Sequence, residues 1–189
     1  MEFTDVLKGR RSVRDYTDER PTKEIINRIL DAANYSPNAG NRNGTQIVVC
    51  EDSQINECIG KCHSAIIRGF NAGNRELPDE ETIEKNGCAF YNAPVVIMLF
   101  APRNFYFSEA DSYIMAQNLC LAAYEQGVAS CIVGEVMDSF ATERGQKIKE
   151  RLAIPADYKP YAYVLLGYSK DTKATYKERH YPDVIYVGE

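Results

Sequence analysis

Arg10, Arg11, Ser12 and Arg14 follow directly on Gly9, so three arginines and a serine share five positions. A guanidinium donates paired N–H bonds in the planar geometry that phosphate oxygens accept, and a serine hydroxyl adds one more donor. A solvated basic turn is the plain alternative. The chain around the cluster is acidic, with 22 Lys+Arg against 27 Asp+Glu and a net charge of -5. That balance argues against a broad nucleic-acid surface and suits one small anionic ligand. Three more clusters could serve the same ligand. Residues 36–44, SPNAGNRNG, are rich in amides and glycine and include Pro37, Asn38, Ala39 and Asn41. Such residues adopt special backbone angles and offer hydrogen bonds. Residues 132–136, IVGEV, place Gly134 between Val133 and Glu135, where a ligand can approach the backbone. Residues 176–180, YKERH, return two cations, Lys177 and Arg179.

Cys58, Cys62 and His63 come nearest to a metal-ligating group. The two cysteines, four apart, share one helix face. No second ligand pair has zinc-like spacing, and the only other histidine is His180. No metal is therefore expected, and thiols packed on an apolar helix face account for the pattern. The first eleven residues have no apolar stretch ahead of their basic residues, unlike a secretory leader. Reduced cysteines and a cytoplasmic location follow as expectations. No apolar run approaches the roughly 20 residues that span a bilayer, so no membrane partner is expected.

The elements that must position these clusters alternate between helix and strand. Helices are predicted at 1–8, with Gly9 as a stop, and from Thr22, a capping residue, to about Ser36. Further helices are predicted at 53–68, 108–126 and 140–152. Ser108 with Asp111 reads as a capping box. The helix it opens is apolar on nearly every side and should be central. Short apolar runs at 47–50, 94–101, 128–133 and 161–166 read as strands. The second, PVVIMLFA, has no polar face and should be buried on both sides. Residues 69–85 are polar and show no clear element. Residues 184–187 form a short strand-like end after a polar arm. At 189 residues, with no linker or repeat, the chain 1–189 reads as one domain.

The order and spacing of RRSVRDY, SPNAGNRN, YNAPVVI, AQNLCLAAYEQGVASCIVGE and the basic C-terminal segment resemble the nitroreductase family of FMN-dependent oxidoreductases. The likeness runs over nearly the whole chain. It implies an α+β fold, with a central, mostly antiparallel sheet flanked by helices, assembled as an intertwined homodimer with FMN at the interface. It assigns Arg10 and Ser12 to the phosphate and ribityl oxygens, Arg14 to the pyrimidine edge of the flavin, and Lys177 and Arg179 to completing the phosphate site. Arg11 serves either the phosphate or the chain's own carboxylates. Pro37, Asn38, Ala39 and Asn41 match the loop that a second subunit lays along the cofactor. Val133, Gly134 and Glu135 match the turn whose N–H groups face N5 and O4 of the ring. Residues 184–187 would reach across to the partner's sheet.

The implied activity is transfer of hydride from NAD(P)H through FMN to a small electron acceptor, a nitroaromatic or quinone, by ping-pong turnover. The resemblance assigns no catalytic acid or base. A specialised flavin enzyme of the same fold, such as a dehalogenase or dehydrogenase, and a low-turnover flavin-storage protein are the alternatives. Three departures stand out. The family often continues AGN with Gln-Pro and an aromatic, where this chain has Asn41-Arg42-Asn43-Gly44-Thr45. Glu135 stands where a second glycine is common. Asn86 is a candidate for the polar contact that the segment before the second strand often makes to the ring.

Overall fold

The computed structural model describes residues 1–171 and 182–188. Four antiparallel strands form one sheet in the order β1-β2-β4-β3: β1 (Gln46–Cys50), β2 (Val95–Pro102), β4 (Tyr158–Gly167) and β3 (Ala129–Gly134). β2 and β4 are the central pair, and β2 is buried along all but its last residue, as its unbroken apolar run requires. The pleat divides it between two cores. Val95, Ile97 and Leu99 join Val164 and Leu166 on one face. Val96, Met98 and Phe100 join Tyr163 and Leu165 on the other. The register shifts between Leu99 and Phe100, opposite the part of β4 that holds Pro160, a residue with no N–H for the ladder.

Helices cover both faces. α2 (Lys23–Asn34) and α5 (Ser108–Glu125) pack on the first core, burying Ile26, Ile29, Ala116, Leu119 and Ala123. α3 (Ser53–Asn71) and α6 (Glu143–Arg151) close the second with Ile55, Ile59 and Ile148. α1 (Phe3–Gly9) packs against α5. Thr22 caps α2 by accepting the Ile25 N–H at 3.3 Å. Gly127, at φ 72, ends the turn after α5.

Three expectations are corrected. Ser108 makes no cap: its hydroxyl donates to Pro102 O at 2.7 Å, and Asp111 accepts from the distant Ala39 N–H. The helix expected at 140–152 is divided, because Thr142 Oγ1 accepts the Gly145 N–H and starts α6 afresh after a 3-10 turn at Ser139–Ala141. The polar stretch 69–85 contains α4 (Glu80–Glu84), capped by Asp79. Residues 182–188 form no strand in the single chain, and Val184, Ile185, Tyr186 and Val187 are exposed. No helix among the described residues is long and apolar enough to cross a membrane.

Candidate functional site

The arginine cluster follows the outer edge of β3. Ser12 bridges Ser130 in parallel, and the Val13 N–H donates to Ser130 O at 2.9 Å. Tyr16 locks the far end: it is buried, and its hydroxyl donates to Val13 O at 2.7 Å. Burial holds that phenol far above its ordinary pKa. Gly9 sets the near end, because a Cβ there would lie 2.1 Å from the Tyr124 hydroxyl of α5. Past Val13 the chain leaves β3: Asp15 O accepts the Lys170 N–H at 3.2 Å, and Tyr16 bridges Ser169 beyond the end of β4. Val13 packs on the second core. Ser12 and Arg14 are exposed, and Arg10 is half-buried.

The arginines differ in what they touch. Arg11 donates to the carbonyls of Lys8 at 2.5 Å and Arg10 at 2.7 Å, and it also lines both clefts that border the segment. Arg14 has no ion pair among the described residues and lies 6.0 Å from the Tyr91 ring centroid. Its neighbour Asp15 pairs instead with Lys170 at 3.3 Å. Two clefts border the segment. One, of about 240 Å³, is lined by Gly9, Arg10, Tyr124, Gly127 and Ser130. The other, of about 360 Å³, is lined by Ser12, Arg14, Asp15, Ser169 and Asp171. Ser130 is buried, and its hydroxyl lies inside the protein beside the Cys120 thiol rather than open to the cleft. Lys177 and Arg179 lie outside the described residues.

At the other end of β3, Gly134 meets α5 closely. A Cβ at Gly134 would lie 2.3 Å from the Tyr113 hydroxyl. Burial, with the charges of Glu109 and Glu135, raises the Tyr113 pKa and keeps it a neutral phenol. The Glu135 N–H donates to Tyr161 O at 3.2 Å, while its side chain turns into the core toward His63, Ser139 and Tyr163. His63 and Tyr163 come from distant parts of the chain, and Ser139 from four residues on. Asn86 is buried and donates to Thr82 O at 2.7 Å, closing α4.

The loop from Pro37 to Asn41 is not brought to the arginines. It leads into β1, at the opposite edge from β3. At roughly 4.8 Å per strand spacing, about 14 Å separates those two edges. The loop is nonetheless well fixed. Gly40, Asn41 and Asn43 all have left-handed φ (64, 51 and 50), which glycine and asparagine tolerate best. Asn38 clamps Asn43 twice: Asn38 Nδ2 donates to Asn43 Oδ1, and Asn38 Oδ1 accepts the Asn43 N–H, both at 2.9 Å. Asn43 thus has a role that the sequence did not suggest. Two residues of α5 hold the loop from below. Asp111 Oδ1 accepts the Ala39 N–H at 3.0 Å, and Asn118 Nδ2 donates to Ser36 Oγ at 2.9 Å.

Replacing Asp111 with alanine is expected to cost about 1.5–3 kcal/mol, the range for a hydrogen bond to a charged group. Asp111→Asn, which keeps an acceptor, should lose less. Urea unfolding gives the energy. Faster hydrogen exchange at Ala39 should accompany it, and unchanged exchange would show that the contact does not hold the loop.

Cys58 and Cys62 lie one turn apart on α3. No group of three metal-capable side chains occurs among the described residues, and every cysteine is free. The hydrogen bond from Cys62, helped by the Arg144 guanidinium, draws the half-buried Cys58 thiol down to about 7. Sharing that bond, and burial, push Cys62 well up.

Residues 7–168 match the model of the nitroreductase family. The chain belongs to that family. A proposed NADH dehydrogenase/NAD(P)H nitroreductase of Archaeoglobus fulgidus is 29% identical over 192 residues, covering 98% of this chain and 97% of the relative. An iodotyrosine deiodinase of Thermotoga neapolitana is 20% identical over 176 residues, covering 91% of each. Among solved structures, a nitroreductase with bound FMN from Desulfitobacterium hafniense is 29% identical, with a TM-score of 0.75 and full coverage of both chains. The nitroreductase fold and the antiparallel sheet flanked by helices agree with the expected α+β architecture.

Proposed function

We propose that this chain binds FMN along Arg10, Ser12, Arg14 and the turn at Val133, Gly134 and Glu135. A second copy contributes Pro37, Asn38, Ala39 and Asn41, and the site moves hydride from NAD(P)H to a small acceptor, a nitroaromatic or quinone. The observation that carries this reading is the placement of Arg10, Ser12 and Arg14 beside the start of β3, where Ser12 bridges Ser130. The donor set suits the group. Two guanidinium groups without an ion pair among the described residues and an exposed hydroxyl lie within five positions, and two clefts open beside them.

The flavin, when bound, supplies the two-electron chemistry, accepting hydride at N5 and releasing it to the acceptor. The protein's task is position and field. Arg10 and Ser12 hold anionic and hydroxyl oxygens, with Lys177 and Arg179 as their proposed partners. The turn at the end of β3 orients the ring edge. Arg14, free of ion pairs among the described residues, directs its charge to the pyrimidine side. No side chain is assigned to move a proton for hydride transfer; turnover is ping-pong, as the family resemblance implies, with nicotinamide leaving before the acceptor enters.

The loop at the opposite edge of the sheet supports a shared site, since one chain separates it from the arginines. Exposed apolar residues Phe3 and Leu7 of α1, Ile114 of α5 and the run 184–187 support an extensive homodimer contact. The purified protein should therefore sediment as a dimer and show the visible absorption of oxidised flavin after addition of FMN. It should also oxidise NADH when a quinone is supplied. Absence of flavin binding overturns the reading. Flavin binding without NADH oxidation, with nicotinamide and several acceptors tried, leaves a storage role in its place.

A further inference from the structure

Glu135 places a carboxylate immediately after Gly134, yet that side chain is only 1% exposed. Its Oε2 accepts the Tyr163 hydroxyl at 2.6 Å. The Ser139 hydroxyl lies 3.0 Å from Oε1 and 2.8 Å from Oε2. His63 Nδ1 lies 3.2 Å from both Oε1 and Ser139 Oγ. His63, Ser139 and Tyr163 are fully buried, and they come from α3, the turn before α6, and β4. The socket therefore ties the end of β3 to three other elements. Phe90 and Tyr163 pack around the imidazole, with ring centroids 6.4 and 5.6 Å away.

A buried carboxylate is tolerated only when its oxygens are well supplied with donors. An apolar side chain of similar volume would secure the strand end at less cost. Anchoring alone therefore does not explain the acid. Among the described residues, no lysine or arginine pairs with Glu135, whereas the next carboxylate along the chain, Asp138, is paired with Arg103. The Glu135 charge is thus left without a basic partner other than the imidazole, within one side chain's length of its own backbone N–H. Burial, and then the charge of Glu135, raise the Tyr163 pKa, so the phenol remains a hydrogen-bond donor.

We propose that Glu135 is a positioning residue that fixes the turn at the end of β3, where its own N–H is already held by Tyr161 O, and also lays a buried negative charge behind that turn. That charge opposes negative charge on a ring bound at the turn and lowers its reduction potential. Arg14, at the pyrimidine side, acts with the opposite sign. The inference rests on the FMN reading above. It deepens that reading by assigning to His63, Ser139 and Tyr163 the work of holding the charge in place.

Two variants of the FMN-reconstituted dimer test it by spectroelectrochemical titration. Glu135→Gln keeps the size and removes the charge, so the midpoint potential should rise. Glu135→Met also removes the charge at similar volume but makes no hydrogen bonds in the socket, so its potential should rise by the same amount. General loosening of the strand end would make the two variants differ. In the apoproteins, the amides of residues 134 and 135 should exchange faster in a Glu135→Ala variant than in the parent. A parent that takes up no FMN overturns both readings. A parent that binds FMN, with an unchanged potential in Glu135→Gln or in Glu135→Met, overturns this inference alone. Should Glu135→Gln fail to fold, the Glu135→Met potential decides.

Discussion

Replacing Arg10 with alanine should weaken FMN binding about ten- to a hundredfold, the equivalent of losing one charge-assisted contact of about 1.5–3 kcal/mol. The expectation follows from geometry as well as type. Arg10 follows directly on α1, beside the edge of β3, and it lines the cleft that also takes in Gly9, Tyr124 and Gly127. Its side chain forms no ion pair among the described residues, so a phosphate would not compete with an existing carboxylate. Arg11 provides an internal comparison. It already donates to two backbone carbonyls, and Arg11→Ala should affect FMN affinity less than the stability of α1. Arg179→Ala should also weaken binding less than Arg10→Ala. Fluorescence titration of the apoprotein with FMN measures all three. An Arg10 variant with the parent's dissociation constant would end the phosphate assignment.

The candidate site was legible as residue types and spacing: Arg10, Ser12 and Arg14 fall within five positions and suit an anionic ligand whatever the rest of the chain does. The buried run of β2 and the cap at Thr22 are likewise short-range signals with one physical reading. The misread elements are those where the same local pattern had a long-range competitor. Ser108 and Asp111 have the spacing of a capping box, but Pro102 O and the Ala39 N–H offered them better partners. The helix predicted at 140–152 had adequate periodicity throughout. Thr142 broke it by taking the Gly145 N–H, and Ser139 was then free to reach Glu135.

The Glu135 socket shows the limit most clearly. His63, Ser139 and Tyr163 are separated in sequence from Glu135 by 72, 4 and 28 positions. His63 sits in a helix where, from the sequence, it was considered only beside two cysteines. Nothing in its neighbours signals a carboxylate on another strand. A glutamate inside an apolar strand end was the usable clue, since an acid in such a place needs partners from elsewhere. The loop at Pro37–Asn41 was legible in composition but not in placement. Only the strand order separates it from the arginines and makes a second subunit the natural source of that part of the site.

Arg14→Gln is the sharpest test of the field that the site imposes. A fixed cation at the pyrimidine side favours the reduced, more negative flavin over the oxidised, neutral one, and only that difference alters the potential. At an effective dielectric near 20, a unit charge a few ångströms away is worth up to about 4 kcal/mol. For a two-electron couple, about 1.4 kcal/mol corresponds to about 30 mV. The variant should therefore still bind oxidised FMN, with a midpoint potential roughly 30–90 mV lower and slower reduction by NADH. Arg14→Lys should keep most of the effect, because charge matters here more than the planar fork. The opposing view has Arg14 neutralised on the surface by a neighbouring carboxylate. Asp15, the nearest acid in sequence, pairs with Lys170 at 3.3 Å instead, which leaves the Arg14 charge uncommitted. If a flavin-loaded Arg14→Gln protein titrates at the parent's potential, the charge does not reach the ring. If the potential falls in Arg14→Gln, rises in Glu135→Gln and returns near the parent's value in the double variant, two opposed charges set the flavin's potential from either side.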